Sequence, residues 1–277
     1  MIVAVTFPML TEEDLRFFGR HCVLFCWVDS TPGTEYGKAN GGLGKPFTTT
    51  AFLMWVRNKG FLITAGHILG GIEDARRRGQ KLTDFLLDDT LGFQAKYSDH
   101  SIPFGDFDTV WKKHVDQDGL DFAVMALSPH IGRKLQANCA EPIDEERWKN
   151  LPDKIEEYYL FGAPDKLHEV DTIGGLHVKR AFAAIPVQCI NDSPESPLTK
   201  FPRIVYRISS ELTSQSGARL DDIDGMSSGP LVGVKRDKTG KPRYCFLGIQ
   251  SSWDKSKGIG FATPLKPIGE WLELGII

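Results

Sequence analysis

Three short segments of the chain contain the side chains that acyl transfer requires. Acyl transfer uses a nucleophilic hydroxyl, a base that takes its proton and an acid that orients the base. Ser227, His67 and Asp121 could fill these roles, and Gly225 lets the backbone before the serine turn tightly. Backbone N–H groups in such a turn could stabilise the negative charge that develops on a carbonyl oxygen. The segments are FLITAGHIL (61–69), GLDFAVMAL (119–127) and DGMSSGPLVG (224–233).

The order of these residues along the chain separates two hydrolase folds. GMSSG (225–229) matches the G-x-S-x-G motif of α/β-hydrolases, in which the histidine follows the serine. Every histidine of this chain precedes Ser227; they are His21, His67, His100, His114, His130, His168 and His177. The order His, Asp, Ser is instead that of the chymotrypsin arrangement, so an esterase on an α/β-hydrolase fold is disfavoured.

Taken together, the motifs resemble those of trypsin-like, chymotrypsin-fold serine proteases of the prokaryotic or intracellular kind. The resemblance extends over roughly residues 48 to 275. It implies an all-β fold of two packed antiparallel β-barrels, with short N-terminal and C-terminal helices and the catalytic residues in the cleft between the barrels. ITAGH resembles the family's T-A-A-H, DFAVMAL its D-x-A-L-L, GMSSGP its G-D-S-G-G-P, and GIQSSW (248–253) its pocket-lining strand.

The resemblance also implies a role for each catalytic candidate. Ser227 would be the nucleophile, His67 the general base and then acid, and Asp121 the residue that orients the histidine. The backbone N–H groups of Gly225 and Ser227 would form the oxyanion hole. Asp116 and Asp118 are rivals for the acid, and Asp121 is preferred because it directly precedes the apolar strand.

Three further residues correspond to substrate-binding positions of the family. Asp221, six residues before Ser227, would pair with a substrate Lys or Arg at the base of the specificity pocket, although Asp222 or Asp224 could hold this role. A solvated acidic turn is the alternative interpretation of these aspartates. Trp253 would narrow the pocket, and the backbone near Ser251 would align the substrate. The sequence therefore predicts cleavage after basic residues.

Departures from the family motifs bear on how the protein is controlled. Met226 replaces the acid that pairs with a new N-terminus in secreted relatives, and Ile68 replaces the cysteine of their histidine-loop disulfide. Both departures favour an intracellular enzyme. Because an open protease inside a cell is hazardous, we expect narrow specificity or a regulatory protein partner. A role in bacterial defence is a further hypothesis that no particular residue indicates.

Short strand-like runs at near-regular spacing predict the elements that position these residues. Helices are expected at 11–20, at 72–86 and, at the C-terminus, at 264–274, because of their charged or amphipathic spacing. The predicted organisation is an N-terminal extension (1–20), a first β-barrel carrying His67 and Asp121 (21–140), a connector (141–156) and a second β-barrel carrying Ser227 (157–277).

Composition sets limits on the class of protein. The 277 residues carry a formal net charge of −3, which argues against binding to nucleic acid through charge. The longest apolar runs are far shorter than the roughly 20 residues of a membrane-spanning helix. The five cysteines, an odd number, and a start without a basic leader predict free thiols and a cytoplasmic location. A mature secreted form from which the leader has been removed would have a similar sequence. No spacing indicates a metal site, and the proposed chemistry requires no cofactor.

Two other classes of function are compatible with parts of the sequence. The first is a catalytically silent protease fold that acts as a binding or sensor module. The presence of all three catalytic candidates argues against it. The second is a nucleotide-binding protein, suggested by NGGLGKP (40–46), but this segment lacks the first glycine of the phosphate-binding loop and has Pro46 in place of Ser or Thr.

Overall fold

The computed structural model is mostly β, with two sheets and six helices among the described residues. This architecture confirms the all-β fold class predicted from the sequence and fits the expected double barrel. None of the described helices is long and apolar enough to cross a membrane. The structure describes residues 3–5, 10–88, 102–105, 107–164, 169–171, 177–179, 181–190, 199–208, 212–213, 219–220, 223–238 and 242–277.

The first sheet contains seven antiparallel strands, and apolar side chains cover both of its faces. Along its central strand, Cys22, Leu24 and Cys26 point into one core and the alternate residues point into another, as the two-residue period of a strand requires. The strand order is β6-β5-β2-β3-β4-β8-β7. The strands are β2 (Cys22–Asp29), β3 (Lys45–Val56), β4 (Lys59–Thr64), β5 (Leu82–Asp88), β6 (Ile102–Pro103), β7 (Lys112–Gln117) and β8 (Leu120–Ala126).

The second sheet closes on itself as a six-stranded barrel. Its strand order is β12-β13-β18-β17-β16-β9, and β9 pairs again with β12. A short N-terminal strand, β1 (Val3–Val5), adds to β12 in parallel. The barrel strands are β9 (Glu157–Gly162), β12 (Ala181–Cys189), β13 (Ile204–Ile208), β16 (Pro230–Arg236), β17 (Pro242–Asp254) and β18 (Ile259–Pro264). Two small hairpins accompany it, β10 (Glu169–Asp171) with β11 (His177–Lys179), and β14 (Leu212–Thr213) with β15 (Arg219–Leu220).

The largest core lies between the two sheets and holds them together. It includes Phe52 and Phe122 from the first sheet and Phe161 and Phe246 from the second, all essentially inaccessible to solvent. Burying this much apolar surface at the junction is the main stabilising contribution available to a chain without disulfides. The helices are α1 (Glu12–Gly19), α2 (Glu35–Ala39), α3 (Gly66–Arg77), α4 (Pro129–Ala137), α5 (Glu145–Lys149) and α6 (Leu265–Leu274).

The predicted terminal helices are present, and the structure defines their packing. Helix α1 begins at a capping box formed by Thr11 and Asp14, and its Phe18 ring lies 4.7 Å from that of Phe161 in the second barrel. Helix α6 packs closely against α5, where Gly269 leaves room for the ring of Trp148. The N-terminal residues therefore lie against the second barrel.

The helix predicted at 72–86 is wrong in both of its boundaries. Helix α3 begins at Gly66, directly after β4, and ends at Arg77; Gly79 then adopts a φ of +84°. Residues 82–88 form strand β5, which pairs with β2. Stacking of Phe85 on Phe107 at 4.1 Å supports the strand. The charged residues that suggested a helix were overridden by this tertiary pairing, which no local pattern reveals.

Candidate active site

His67 and Asp121 form a close pair at the junction of the two sheets. The Nδ1–H of His67 donates to Asp121 Oδ2 at 2.7 Å, and the backbone N–H of His67 donates to Asp121 Oδ1 at 2.9 Å. The His67 side chain is 36% exposed, whereas that of Asp121 is 5% exposed. A buried carboxylate with both oxygens on one histidine fixes the tautomer and leaves Nε2 as the proton acceptor.

Asp121 owes its position to a β-hairpin and to one threonine of the other sheet. The turn between β7 and β8 uses the positive φ of Asp118 and Gly119, and Asp121 follows at the start of β8. Its backbone N–H donates to Thr263 Oγ1 at 2.9 Å, and this hydroxyl donates back to the Asp121 carbonyl at 3.1 Å. Asp116 lies opposite Asp121 in β7 and is exposed. Of the three aspartates considered, only Asp121 bonds to His67 within the described residues.

Gly66 explains why His67 can lie so close to this hairpin. A Cβ at Gly66 would overlap the Val115 carbonyl oxygen and would lie 2.8 Å from that of Phe122. The helix start therefore packs directly on the backbone of β7 and β8. A side chain at this position would push the start of α3 away from the hairpin.

The surroundings of His67 raise its pKa above the ordinary 6.5. Partial burial, the largest single influence, lowers the pKa because it disfavours the charged ring. The hydrogen bond and the negative charge of Asp121, together with the charge of Asp116, outweigh burial and raise the pKa. A cavity of about 590 Å³ adjoins His67 and is also lined by Asp74, Arg77, His114 and Asp116.

The turn that carries Ser227 is held in place by both sheets. Gly225 has a φ of +87° and Ser227 is half-buried. The hydroxyl of Thr49 donates to the Ser227 carbonyl at 3.2 Å, and that of Thr50 donates to the Gly225 carbonyl at 3.4 Å. On the other side, Ser228 N–H donates to the Gln250 carbonyl of β17 at 2.8 Å. The turn therefore has a defined orientation at the sheet junction.

The hydrogen bonds around Ser227 leave three groups available. Within the described residues, the backbone N–H groups of Gly225 and Ser227 donate to no acceptor, although their neighbours Met226, Ser228 and Gly229 do. The same residues contain no hydrogen bond between the Ser227 hydroxyl and the His67 ring. Hydrogen bonds between a nucleophile and its base are often long in unliganded enzymes. The Ser227 hydroxyl and the two N–H groups are thus available to a ligand that reaches this turn.

Met226 points away from this site. Its side chain is fully buried in the core of the second barrel, and its Cβ lies 3.2 Å from the place where a Cβ at Gly162 would be. An acid at this position would be buried among apolar side chains without a charged partner. The chain therefore holds the turn at this position by apolar packing.

Of the predicted substrate-binding residues, Trp253 and Ser251 lie near the Ser227 turn. Asp221 and its alternative Asp222 lie outside the described residues. Trp253 is half-buried, and its Nε1–H donates to Asp224 Oδ1 at 3.1 Å, so β17 and the loop before Ser227 are joined. Ser251 is buried and its hydroxyl donates to the Phe261 carbonyl at 3.0 Å. The side chain of Ser251 is thus occupied by the barrel, and only its backbone could contact a substrate.

Sequence reasoning missed the threonines that cross between the sheets. Thr49, Thr50, Thr64 and Thr263 are buried, and each bonds to a residue next to or within the candidate triad. Thr64 belongs to the ITAGH motif, but a threonine in a strand is ordinarily explained by its β propensity. The run of threonines at 48–50 was the only available signal.

Comparisons with known proteins give fold similarities at low sequence identity. No protein-family model and no curated protein sequence matches the chain. A thermostable serine protease, AL20, from an extremophilic microorganism is 14% identical with a TM-score of 0.44, covering 90% of this chain and 94% of its own. The protease Anisep from Arthrobacter nicotinovorans is 15% identical with a TM-score of 0.42, covering 88% and 90%. The tobacco etch virus protease with bound product is 12% identical with a TM-score of 0.44, covering 94% and 78%.

Proposed function

We propose that the protein is a serine endopeptidase that hydrolyses peptide bonds through an acyl-enzyme intermediate. The observation that carries this proposal is the buried Asp121 carboxylate, which binds both the ring and the backbone of His67. A structural histidine needs no such double contact, whereas a general base needs a fixed ring with a free Nε2. The adjacent Ser227 turn supports the same chemistry, because the N–H groups of Gly225 and Ser227 donate to no acceptor in the described parts of the chain.

In the proposed reaction, His67 Nε2 takes the proton of the Ser227 hydroxyl as its oxygen attacks the carbonyl carbon of the scissile bond. The N–H groups of Gly225 and Ser227 stabilise the negative charge on the carbonyl oxygen, and each such donor is typically worth about 3 kcal/mol. The C–N bond then breaks as His67 gives its proton to the amine. His67 next takes a proton from water as the water oxygen attacks the ester carbonyl carbon, and it gives this proton to the Ser227 oxygen as the ester C–O bond breaks.

A fluorophosphonate probe tests the proposal because it reacts with activated serine hydroxyls. We expect covalent labelling of the wild type at Ser227 and hydrolysis of fluorescently labelled casein. Ser227→Ala should abolish labelling and reduce turnover on the order of a million-fold. Ser30→Ala is the matched control, because the Ser30 hydroxyl bonds to Lys81 and Thr83 and to none of the candidate catalytic residues, and it should keep both activities. An unlabelled wild type, or equal labelling of Ser227→Ala, would exclude the endopeptidase.

A silent binding or sensor module is the second candidate function. The absence of a hydrogen bond between Ser227 and His67 in the described residues favours it. In an endopeptidase, a bound substrate would bring the Ser227 hydroxyl and the His67 ring together, whereas in a silent module it would not. A silent module would leave Ser227 unlabelled even with peptide libraries present, and its His67→Ala variant would bind its ligand as the wild type does.

Cleavage after Lys or Arg is the specificity we propose. The acidic segment 221–224 supports it, with Asp221 and Asp222 lying outside the described residues. Asp224 is joined to Trp253 and is therefore the weaker candidate for the substrate contact. Profiling cleavage of a peptide library should give Lys or Arg before the cleaved bond. Asp221→Ser should remove this preference, and Asp224→Ser should keep it; the reverse result would transfer the role to Asp224.

We also propose control by a regulatory protein partner in a reducing, cytoplasmic setting. None of the five cysteines forms a disulfide, and burial raises the pKa of Cys189 to about 12 and that of Cys245 to about 11. Among the described residues no hydrogen bond joins the Ser227 hydroxyl to the His67 ring, which supports a site that a partner completes. Fluorophosphonate labelling should be faster in native cell extract than with the purified chain. Equal rates would contradict the partner, and recovery of the protein outside the cytoplasmic fraction would contradict the location.

A further inference from the structure

The residue directly after the proposed nucleophile occupies an unusual environment. Ser228 is fully buried and has a φ of +77°, a left-handed conformation that is uncommon for residues other than glycine. The motif that this turn resembles has glycine at the same position. A side chain in this conformation typically costs about 1–2 kcal/mol. A glycine at position 228 would avoid this cost, so what the serine adds is the set of contacts that its hydroxyl makes.

The Ser228 hydroxyl bonds across the junction between the sheets. It accepts a hydrogen bond from the backbone N–H of Ala65 at 2.7 Å and another from the Thr64 hydroxyl at 2.8 Å. Ala65 immediately precedes α3 and lies two residues before His67. In the opposite direction, Ser228 N–H donates to the Gln250 carbonyl of the second barrel. Ser228 thus contacts the segment that carries the base while it belongs to the turn that carries the nucleophile.

We propose that Ser228 is a positioning residue whose hydroxyl sets the distance between the Ser227 hydroxyl and the His67 ring. Among the described residues, its two bonds are the only hydrogen bonds between residues 64–67 and residues 225–229. Thr49 and Thr50 hold the turn from β3, and Thr263 holds Asp121. None of these contacts joins the base to the nucleophile directly. The inference rests on the proposed function, since a distance between these groups matters only if they react.

Removing the Ser228 hydroxyl should affect the reaction without altering the acid–base pair. The His67–Asp121 contact does not involve Ser228, so the pKa of His67 should stay the same. The base and the nucleophile would lose their mutual alignment, and a misplacement of about 1 Å typically costs on the order of 100-fold in rate. A defect in rate at unchanged pH dependence is therefore the signature of positioning.

Four variants separate the hydroxyl from the backbone strain. Ser228→Gly removes the hydroxyl and relieves the positive φ, whereas Ser228→Ala removes the hydroxyl and keeps the strain. Thr64→Val removes the partner hydroxyl, and Thr64→Ser keeps it as the matched control. Two quantities are measured for each variant. The first is the rate of fluorophosphonate labelling at Ser227 between about pH 5 and 9, a range that includes the titration of a histidine. The second is the midpoint of thermal unfolding.

We expect Ser228→Gly and Ser228→Ala to slow labelling about 10- to 100-fold with the same pH midpoint as the wild type. Ser228→Gly should melt no lower than Ser228→Ala. Thr64→Val should slow labelling, whereas Thr64→Ser should label at about the wild-type rate. The double variant that combines Ser228→Gly with Thr64→Val should label no more slowly than Ser228→Gly alone, because both substitutions remove the same contact.

A Ser228→Gly variant that labels at the wild-type rate would overturn the positioning role while leaving the proposed function intact. If the Ser228 variants do not fold, the two Thr64 variants decide, and equal rates for Thr64→Val and Thr64→Ser would overturn it. A wild type that neither labels nor hydrolyses casein would instead overturn the proposed function, and the positioning role with it. The two failures are therefore distinguishable.

Discussion

Asp121 does more for His67 than orient its ring. Its two carboxylate oxygens bond separately to the ring and to the backbone N–H of His67, so one residue fixes both the side chain and the start of α3. Because the carboxylate is buried, its interaction with the ring is less screened by water than that of a surface pair. Asp116 adds a negative charge from the exposed neighbouring strand without a direct bond.

Replacing Asp121 by Asn should reduce turnover of casein by roughly 10⁴-fold, because an amide favours the wrong tautomer of the histidine. The variant should still fold, since the side-chain oxygen can accept the bond from the His67 backbone. Circular dichroism checks folding, and single-turnover hydrolysis checks the rate. Asp116→Asn is the matched control and should lose only a small fraction of activity. Equal losses in the two variants would contradict the assignment of Asp121.

Activity should rise with pH through the pKa of His67, since only the neutral ring can accept a proton. The midpoint of this rise in kcat/KM should lie above 6.5, because Asp121 and Asp116 together raise the pKa. Asp116→Asn should move the midpoint to lower pH. The protonated ring is stabilised in the folded state, so its contribution to stability is complete below pH 6.5 and is lost as pH rises through the raised pKa. A wild-type midpoint at or below 6.5 would contradict this reading.

At the scale of elements, the site depends on the close packing of α3 against the β7–β8 hairpin. A single residue, Ala65, separates the helix from β4, and Gly66 is the first residue of the helix. Backbone oxygens of Val115 and Phe122 occupy the space that a side chain at Gly66 would require. The position of His67 is therefore set by backbone contact between a helix and a hairpin.

Gly66→Ala should lower the free energy of unfolding by about 1–3 kcal/mol and should slow labelling of Ser227, because the helix start must move away from Asp121. Thermal unfolding and fluorophosphonate labelling measure the two effects. Gly71→Ala is the matched control in the same helix, where an added Cβ would contact nothing within 4 Å. It should be neutral or stabilising by up to about 1 kcal/mol. If Gly66→Ala behaved like Gly71→Ala, the close packing would not matter.

Most of the strands and the terminal helices could be predicted because their alternating or amphipathic patterns are local. The apolar strand expected directly after Asp121 is β8, and the hairpin of β3 with β4 turns at Arg57 and Asn58, which supply the positive φ that a two-residue turn requires. Strand β5 was missed, because its partner β2 lies more than fifty residues earlier. Pairing over such a distance leaves no trace in local spacing.

At the scale of the whole molecule, a neutral histidine is buried between the sheets. His21 is inaccessible to solvent; its Nδ1–H donates to the Glu141 carbonyl at 2.6 Å, and its Nε2 accepts from the Tyr244 hydroxyl at 3.2 Å. Burial lowers the pKa of His21 to about 3, although the bond to Glu141 opposes the shift. The folded protein thus keeps this ring neutral where the unfolded chain would protonate it.

The free energy of unfolding should therefore decrease as pH falls from about 6.5 towards about 3. Between these values the unfolded chain binds one more proton at His21, which corresponds to up to about 1.4 kcal/mol per pH unit. Urea unfolding at a series of pH values measures this slope. His21→Gln should flatten it, whereas His130→Gln, at an exposed position of α4, should leave it unchanged. The same slope in His21→Gln and wild type would contradict this origin of acid sensitivity.

The sequence by itself determined the chemical residue types, their order and the β-rich pattern, because motifs and two-residue periods are local properties. His67, Asp121 and Ser227 could be proposed from these alone. Only the tertiary structure decided that Asp121, and neither Asp116 nor Asp118, bonds to His67. It also closed the second barrel and brought the Ser228 hydroxyl within hydrogen-bond distance of the Ala65 N–H. These contacts join residues 54 and 163 positions apart. Hydrogen bonds across a sheet junction depend on the packing of both sheets, and no spacing along the chain encodes them.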